Sequence, residues 1–240
     1  MRLAIFSDIH GNLEALQAVL KRCADIGVDR TICLGDLVGY GADPNACIDL
    51  VRGVADVVLA GNHDRVAAGL EDARLFNPMA SAAIRWTAAA LTEAHVGYLQ
   101  VRSLTAEEGD VLYVHASPYR PETWPYIHFP EEGRAGLAYT EARVCFVGHS
   151  HRAFLCAERD DVEVLGEGDA RLMPSERYLI NVGSVGQPRD GDPRAAFAIW
   201  DQEAAEFRLC RVPYDVAGAQ ARIREAGLPD LLAERLGVGR

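Results

Sequence analysis

The sequence predicts an α/β protein in which two sheets pack face to face with helices outside. Three observations predict it. Strand and helix patterns alternate through the first quarter of the chain, which signals a parallel sheet. Five strand patterns in the second half look antiparallel, because Gly, Pro and Asp turns separate them. Helical patterns run between these blocks and after them, so helices are available to cover the outer faces.

Each element follows from local chemistry. Residues 3–6 are a buried-strand pattern that stops at Ser7-Asp8. Asn12 is a helix N-cap; Leu13, Leu16, Val19, Leu20 and Cys23 recur at helical spacing, and Gly27 ends the helix. Residues 31–34 form a second strand. Asp43-Pro44, a cap followed by proline in the first turn, opens a helix to about Val51. Residues 56–60 read as a third strand. Residues 65–108 are mostly helical by composition, with an alanine-rich middle from Ala80 to Ala94. Strands at 111–114 and 144–147 flank a loop, 116–130, rich in proline and aromatics. Later strands fall at 153–159, 162–165, 178–182, 195–201 and 206–212, and helices at 216–226 and 230–236. The chain has no repeat and no low-complexity linker. Its 240 residues are expected to form one domain, with 216–240 a C-terminal helical extension.

Composition narrows the function classes. Hydrophobic residues are 49% and charged residues 25%, ordinary for a soluble globular protein. No apolar run approaches the ~20 residues a bilayer needs. The short apolar N-terminus is interrupted by Asp8 and His10, unlike a signal peptide, so a cytoplasmic protein with no membrane partner is expected. Six scattered cysteines without a C-x-x-C pair argue against a zinc ribbon or thioredoxin-type site and read as reduced, packed thiols. The net charge of −11 repels polyanions, and Lys21 is the only lysine, so no extended nucleic-acid surface is evident. An anionic substrate would need another source of positive charge, and metal ions are the obvious one.

The polar residues are placed accordingly. Asp8 and His10 follow the first strand, Gly35-Asp36 the second and Gly61-Asn62-His63-Asp64 the third. His115 ends the strand at 111–114, and Gly148-His149-Ser150-His151 follows that at 144–147. In parallel α/β sheets the carboxyl ends of the strands form the ligand-binding edge. Five of the seven histidines stand at such ends; His95 and His128 do not. Imidazole and carboxylate together suit Mn, Fe, Co, Ni or Zn. Gly35, Gly61 and Gly148 each precede a candidate ligand, where glycine permits a sharp turn and close approach.

The ordered set D-x-H, G-D, G-N-H-D, an isolated H and G-H-x-H resembles the calcineurin-like metallophosphoesterases. With "SDIHGNLEAL", "GDLVGYGADP" and "NVGSVGQPRD" it is most similar to their compact bacterial branch of phosphodiesterases and phosphatases, over about residues 1 to 200. The resemblance implies a four-layer α-β-β-α sandwich of two mixed sheets. It also implies two divalent metal ions, with Mn preferred over Fe, Ni, Co and Zn. Asp8, His10, Asp36 and His151 would hold the first; Asp36, Asn62, His115 and His149 would hold the second, with Asp36 bridging. Two dications against Asp8 and Asp36 would leave about +2 to capture a phosphate.

The activity so implied is phosphoester hydrolysis, with a phosphodiesterase preferred, by in-line attack of a hydroxide shared between the metals. His63 would stabilise the phosphoryl group or protonate the leaving oxygen. Asp64 would orient His63 and keep it protonated, or serve as a turn aspartate. Tyr40, Arg189 and the 116–130 loop are candidates to contact a small phosphoester or nucleotide-like substrate. Trp124, Tyr126 and Phe129 would either stack on a base or pack the loop onto the sheet. The competing readings are a phosphomonoesterase, a nucleotide pyrophosphohydrolase of the same fold, and a non-catalytic interaction scaffold. The scaffold is disfavoured because His63 and every ligand position are intact.

Overall fold

The computed structural model describes residues 1–159 and 163–240. Its first half alternates as expected: β1 (Arg2–Phe6), α1 (Leu13–Ile26), β2 (Arg30–Cys33), α2 (Pro44–Val54) and β3 (Val57–Val58), with the three strands parallel. Asn12 caps α1 by accepting from the Ala15 amide at 3.1 Å, and Gly27 ends it in the left-handed region. The stripe Ala15, Leu16, Val19, Cys23 is buried against the sheet. The start of α2 differs. Asp43 makes no side-chain bond to its own helix, because its carboxylate pairs with Arg222 (Nε to Oδ2, 2.9 Å).

Three helices follow: α3 (Asn62–Ala67), α4 (Pro78–Ala90) and α5 (Glu93–Gln100). The helical expectation for 65–108 fails at its end. Thr105–Glu108 is β4, an edge strand that turns at Gly109 and pairs antiparallel with β5 (Val111–Val114). After the 116–130 loop come α6 (Pro130–Gly136) and β6 (Val144–Val147), then β7 (Ala153–Ala157), β8 (Glu163–Leu165) and β9 (Gly168–Arg171). The expected strand 162–165 is seen from Glu163; Val162 lies outside the described residues. The chain ends with β10 (Tyr178–Val182), β11 (Ala195–Asp201), β12 (Glu206–Val212), α7 (Val216–Glu225) and α8 (Asp230–Glu234).

Among the described residues the strands form two six-stranded sheets, β3-β2-β1-β11-β12-β9 and β4-β5-β6-β10-β7-β8. Both are mixed: β1, β2 and β3 run parallel in one, β5, β6 and β10 in the other. Their facing sides interdigitate: Leu3, Ile5 and Trp200 of the first sheet share a buried layer with Tyr113, Phe146 and Ile180 of the second. α1 and α2 cover the outer face of the first sheet and α6 packs on the second, giving the α-β-β-α layering. α7 and α8 add a further cluster, in which Ala219, Ile223 and Leu232 pack with Ala80, Ala83 and Tyr40. All six cysteines are buried, and none is joined in a disulfide among the described residues. No helix among the described residues is long and apolar enough to cross a membrane.

Candidate metal centre

The ends of β1, β2, β5 and β6 and the start of α3 bring Asp8, His10, Asp36, Asn62, His115, His149 and His151 together in a buried cluster. Asn62, at 7% exposure, is the least buried of the seven. Close approach depends on glycine. A Cβ on Gly61 would run into Asp36 Oδ1, and one on Gly148 would lie 2.5 Å from Asp8 Oδ2. The turns themselves are tight: Asp8, His10, Asp36, His149 and His151 all have φ between 51° and 64°, a region that side chains other than glycine rarely enter.

Backbone carbonyls set the histidine tautomers. Nδ1 of His10 lies 3.0 Å from the Val38 carbonyl, Nδ1 of His115 lies 3.1 Å from that of Leu34, and Nδ1 of His151 lies 2.6 Å from that of Gln187. A carbonyl only accepts, so each Nδ1 carries the proton and each Nε2 presents a lone pair. His149 is reversed: its Nε2 donates to the Trp124 carbonyl at 3.1 Å, which leaves Nδ1 as the free atom.

The free atoms converge. His10 Nε2 and His151 Nε2 are 3.1 Å apart. With both protons on Nδ1 this contact is two lone pairs facing each other rather than a hydrogen bond, which calls for a cation between them. Asp8 Oδ1 lies 3.3 Å from His151 Nε2, and Asp36 Oδ2 lies 3.6 Å from His10 Nε2 and 3.4 Å from His115 Nε2. Asp8 Oδ1, Asn62 Oδ1 and His115 Nε2 are buried without a hydrogen-bond partner. Orphaned buried acceptors on this scale are costly unless a ligand meets them. Three overlapping groups, Asp8–His10–His151, His10–Asp36–His63 and Asp36–His115–His149, could each hold a metal ion.

The electrostatics agree. Burial would raise the Asp8 carboxyl, but the His151 and His115 rings pull it well below its usual range. Asp36 is likewise held low against burial, by His115 and His63. Burial depresses His10 and takes His149 down to about 3, so both rings are neutral at pH 7. His115 alone goes the other way: Asp36 and Asp8 overcome burial and raise it to about 9, so without an ion its Nε2 takes up a proton that a metal would displace. The carboxylates draw positive charge inward, as a cation site does.

The residues around the cluster take different places. His63 sits 4.8 Å from His10, ring centre to ring centre, with its Nδ1 buried and unpartnered, and burial lowers it to about 4. The expectation that Asp64 orients His63 is corrected. Asp64 Oδ1 accepts from the amides of Leu37 (2.8 Å) and Val38 (3.2 Å) and Oδ2 from that of Gly61 (3.0 Å), so both oxygens are committed to backbone. Burial and the Asp36 charge raise it to about 7. Tyr40 stands edge-on to His10 at 4.7 Å and against His63 at 4.6 Å, with the Arg189 guanidinium 5.5 Å from its ring centre. In the 116–130 loop, Tyr126 stacks on His149 at 4.0 Å, while Phe129 lies under Arg152.

Sequence reasoning missed the cradle formed by residues 181–187. Asn181 Nδ2 donates to the Gly148 carbonyl and to Ser150 Oγ, Ser184 Oγ donates to the Asp8 carbonyl, and the Gln187 carbonyl fixes His151. The motif "NVGSVGQPRD" was visible, but nothing in it says which backbone it holds.

Residues 1–205 match the family model of the calcineurin-like phosphoesterase superfamily domain. The chain belongs to this superfamily. Within it, an uncharacterized protein of Methanocaldococcus jannaschii is 40% identical over 242 residues, spanning 99% of this chain and 98% of that one. A crystal structure described as a metallophosphoesterase from Sphaerobacter thermophilus is also 40% identical, with a TM-score of 0.88 and coverage of 100% and 99%. The crystal structure of a hypothetical protein of Pyrococcus horikoshii shares the fold of this chain at a TM-score of 0.79 and 20% identity, covering 100% and 98%.

Proposed function

We propose that this protein is a binuclear metal-dependent phosphoesterase acting on small phosphoesters, with phosphodiesters preferred. The convergence of the His10 and His151 lone pairs with the orphaned atoms of Asp8, Asn62 and His115 carries this reading. Asp8, His10, Asp36 and His151 would hold one divalent ion and Asp36, Asn62, His115 and His149 the other, Mn being preferred. When bound, such ions would neutralise phosphoryl charge and lower the pKa of a water toward neutrality.

The chain's own groups do the rest. The carbonyls of Val38, Leu34 and Gln187 lock the ligand tautomers, so no reorganisation is needed when substrate arrives. His63, beside His10 and Asp36, is placed to meet the phosphoryl group or the leaving oxygen. Free, its ring is neutral; the negative charge of a phosphoryl group beside it would favour the protonated form. Arg189, on the face of Tyr40, supplies positive charge at the mouth of the site in a protein of net charge −11.

The test is hydrolysis of bis-p-nitrophenyl phosphate by protein loaded in turn with Mn, Ni, Co, Fe and Zn. Turnover with at least one of them is expected. No turnover with any would overturn the proposal in favour of a non-catalytic scaffold.

A further inference from the structure

The sequence offers Tyr126 as a platform for a base, but the ring is already occupied. It stacks on His149 at a centroid distance of 4.0 Å and 18° between planes, and on His128 at 5.1 Å and 7°. Two near-parallel neighbours hold the ring in place. The side chain is nonetheless half exposed. Two residues earlier, the Trp124 carbonyl holds the other end of His149, and Trp124 Nε1 donates to Glu71 at 2.8 Å. Glu71 in turn pairs with Arg65 of α3, the helix that begins with Asn62 and His63. The loop is therefore anchored to both sides of the cluster, and Tyr126 is fixed on a candidate ligand.

We propose that the Tyr126 hydroxyl donates a hydrogen bond to a phosphoryl oxygen of the bound substrate. This rests on the phosphoesterase reading above. Phosphoryl oxygens only accept, so a rigid donor beside the cluster complements them at little entropic cost. A phenol keeps its proton at neutral pH, so the hydroxyl is available as a donor. Arg189 and Tyr126 then approach the same phosphoryl group from two elements, the 181–189 segment and the 116–130 loop.

Tyr126→Phe separates the hydroxyl from the stack. In the metal-loaded full chain, it should weaken binding of inorganic phosphate, read by calorimetry, by about ten- to a hundredfold, as a lost hydrogen bond to a charged group does. kcat/KM for bis-p-nitrophenyl phosphate should fall by a similar factor with metal content unchanged. Tyr139→Phe, outside that loop and packed on Tyr119, should change neither. Unchanged phosphate affinity in Tyr126→Phe overturns the proposal. So does a loss confined to Tyr126→Ala and accompanied by loss of metal, which would make Tyr126 a support for His149 only. Absence of phosphate binding by the unsubstituted protein overturns it as well. If phosphate binds in a Tyr126-dependent way but no phosphoester is hydrolysed, the phosphoesterase reading fails and the Tyr126 contact stands.

Discussion

Asp8, His10, Asp36, His149 and His151 all stand in the left-handed region, where a side chain costs on the order of 1–2 kcal/mol each. That strain aims one side chain sharply out of a strand end. The identities of these residues were legible in the sequence because Asp, His and Asn recur after successive apolar runs. Their conformation was not, since no residue type encodes positive φ as glycine does. Asp36 is the residue shared by both proposed ion sites. Asp36→Asn should weaken binding of two ions together in a calorimetric titration; one ion binding with unchanged affinity would mean that Asp36 does not bridge. His63 touches the cluster without completing it. His63→Ala is expected to cut turnover about 10²–10⁴-fold while elemental analysis still finds both ions, and lost metal would assign it as a ligand instead.

Among the elements, α3 shows how a short helix is made to hold a site. Asp64 sits in its first turn and reaches 27 and 26 residues back, to the amides of Leu37 and Val38, as well as to Gly61. It ties the Asp36 turn to the Asn62 turn. The sequence shows Asp64 beside His63 and suggests a catalytic pair; the long-range backbone partners that decide otherwise are invisible locally. Asp64→Ala would strand three amides, two of them in the Asp36 turn, at about 1–3 kcal/mol for each left buried and unsatisfied. A loss of several kcal/mol by denaturant melting is expected, and a loss under 1 kcal/mol would show that water replaces the carboxylate. Other elements escaped for similar reasons. β4 is polar and Glu-rich, so composition favours a helix, but pairing with β5 makes it a strand.

Across the whole molecule, the two-sheet sandwich was readable because its strands are apolar and its parallel half alternates with amphipathic helices. Less readable was the role of α7 and α8. They lie beyond residue 205, where the family match ends, and their sequences do not say which surface they cover. The structure packs Ile223, Leu232 and Leu236 into one cluster with Tyr40, whose ring borders His10 and His63, and pairs Arg222 with Asp43. These helices thus brace one wall of the site. Leu232 is fully buried, and Leu232→Ala should cost 2–5 kcal/mol of stability, measured by urea denaturation; a change below 1 kcal/mol would show that the terminal helices are loosely held.

His10 and His151 face each other across 141 positions of chain, and the cluster has no two candidate ligands from one segment except at 8 and 10 and at 149 and 151. Closing so long a span is slow, and the contact forms only once both sheets are in register. The ion should therefore arrive after the rate-limiting step. Manganese added to refolding protein is expected to leave the refolding rate constant unchanged and to slow unfolding in proportion to the stability gained. Stopped-flow traces with and without manganese decide this: acceleration of refolding would place the ligand ends together in the transition state.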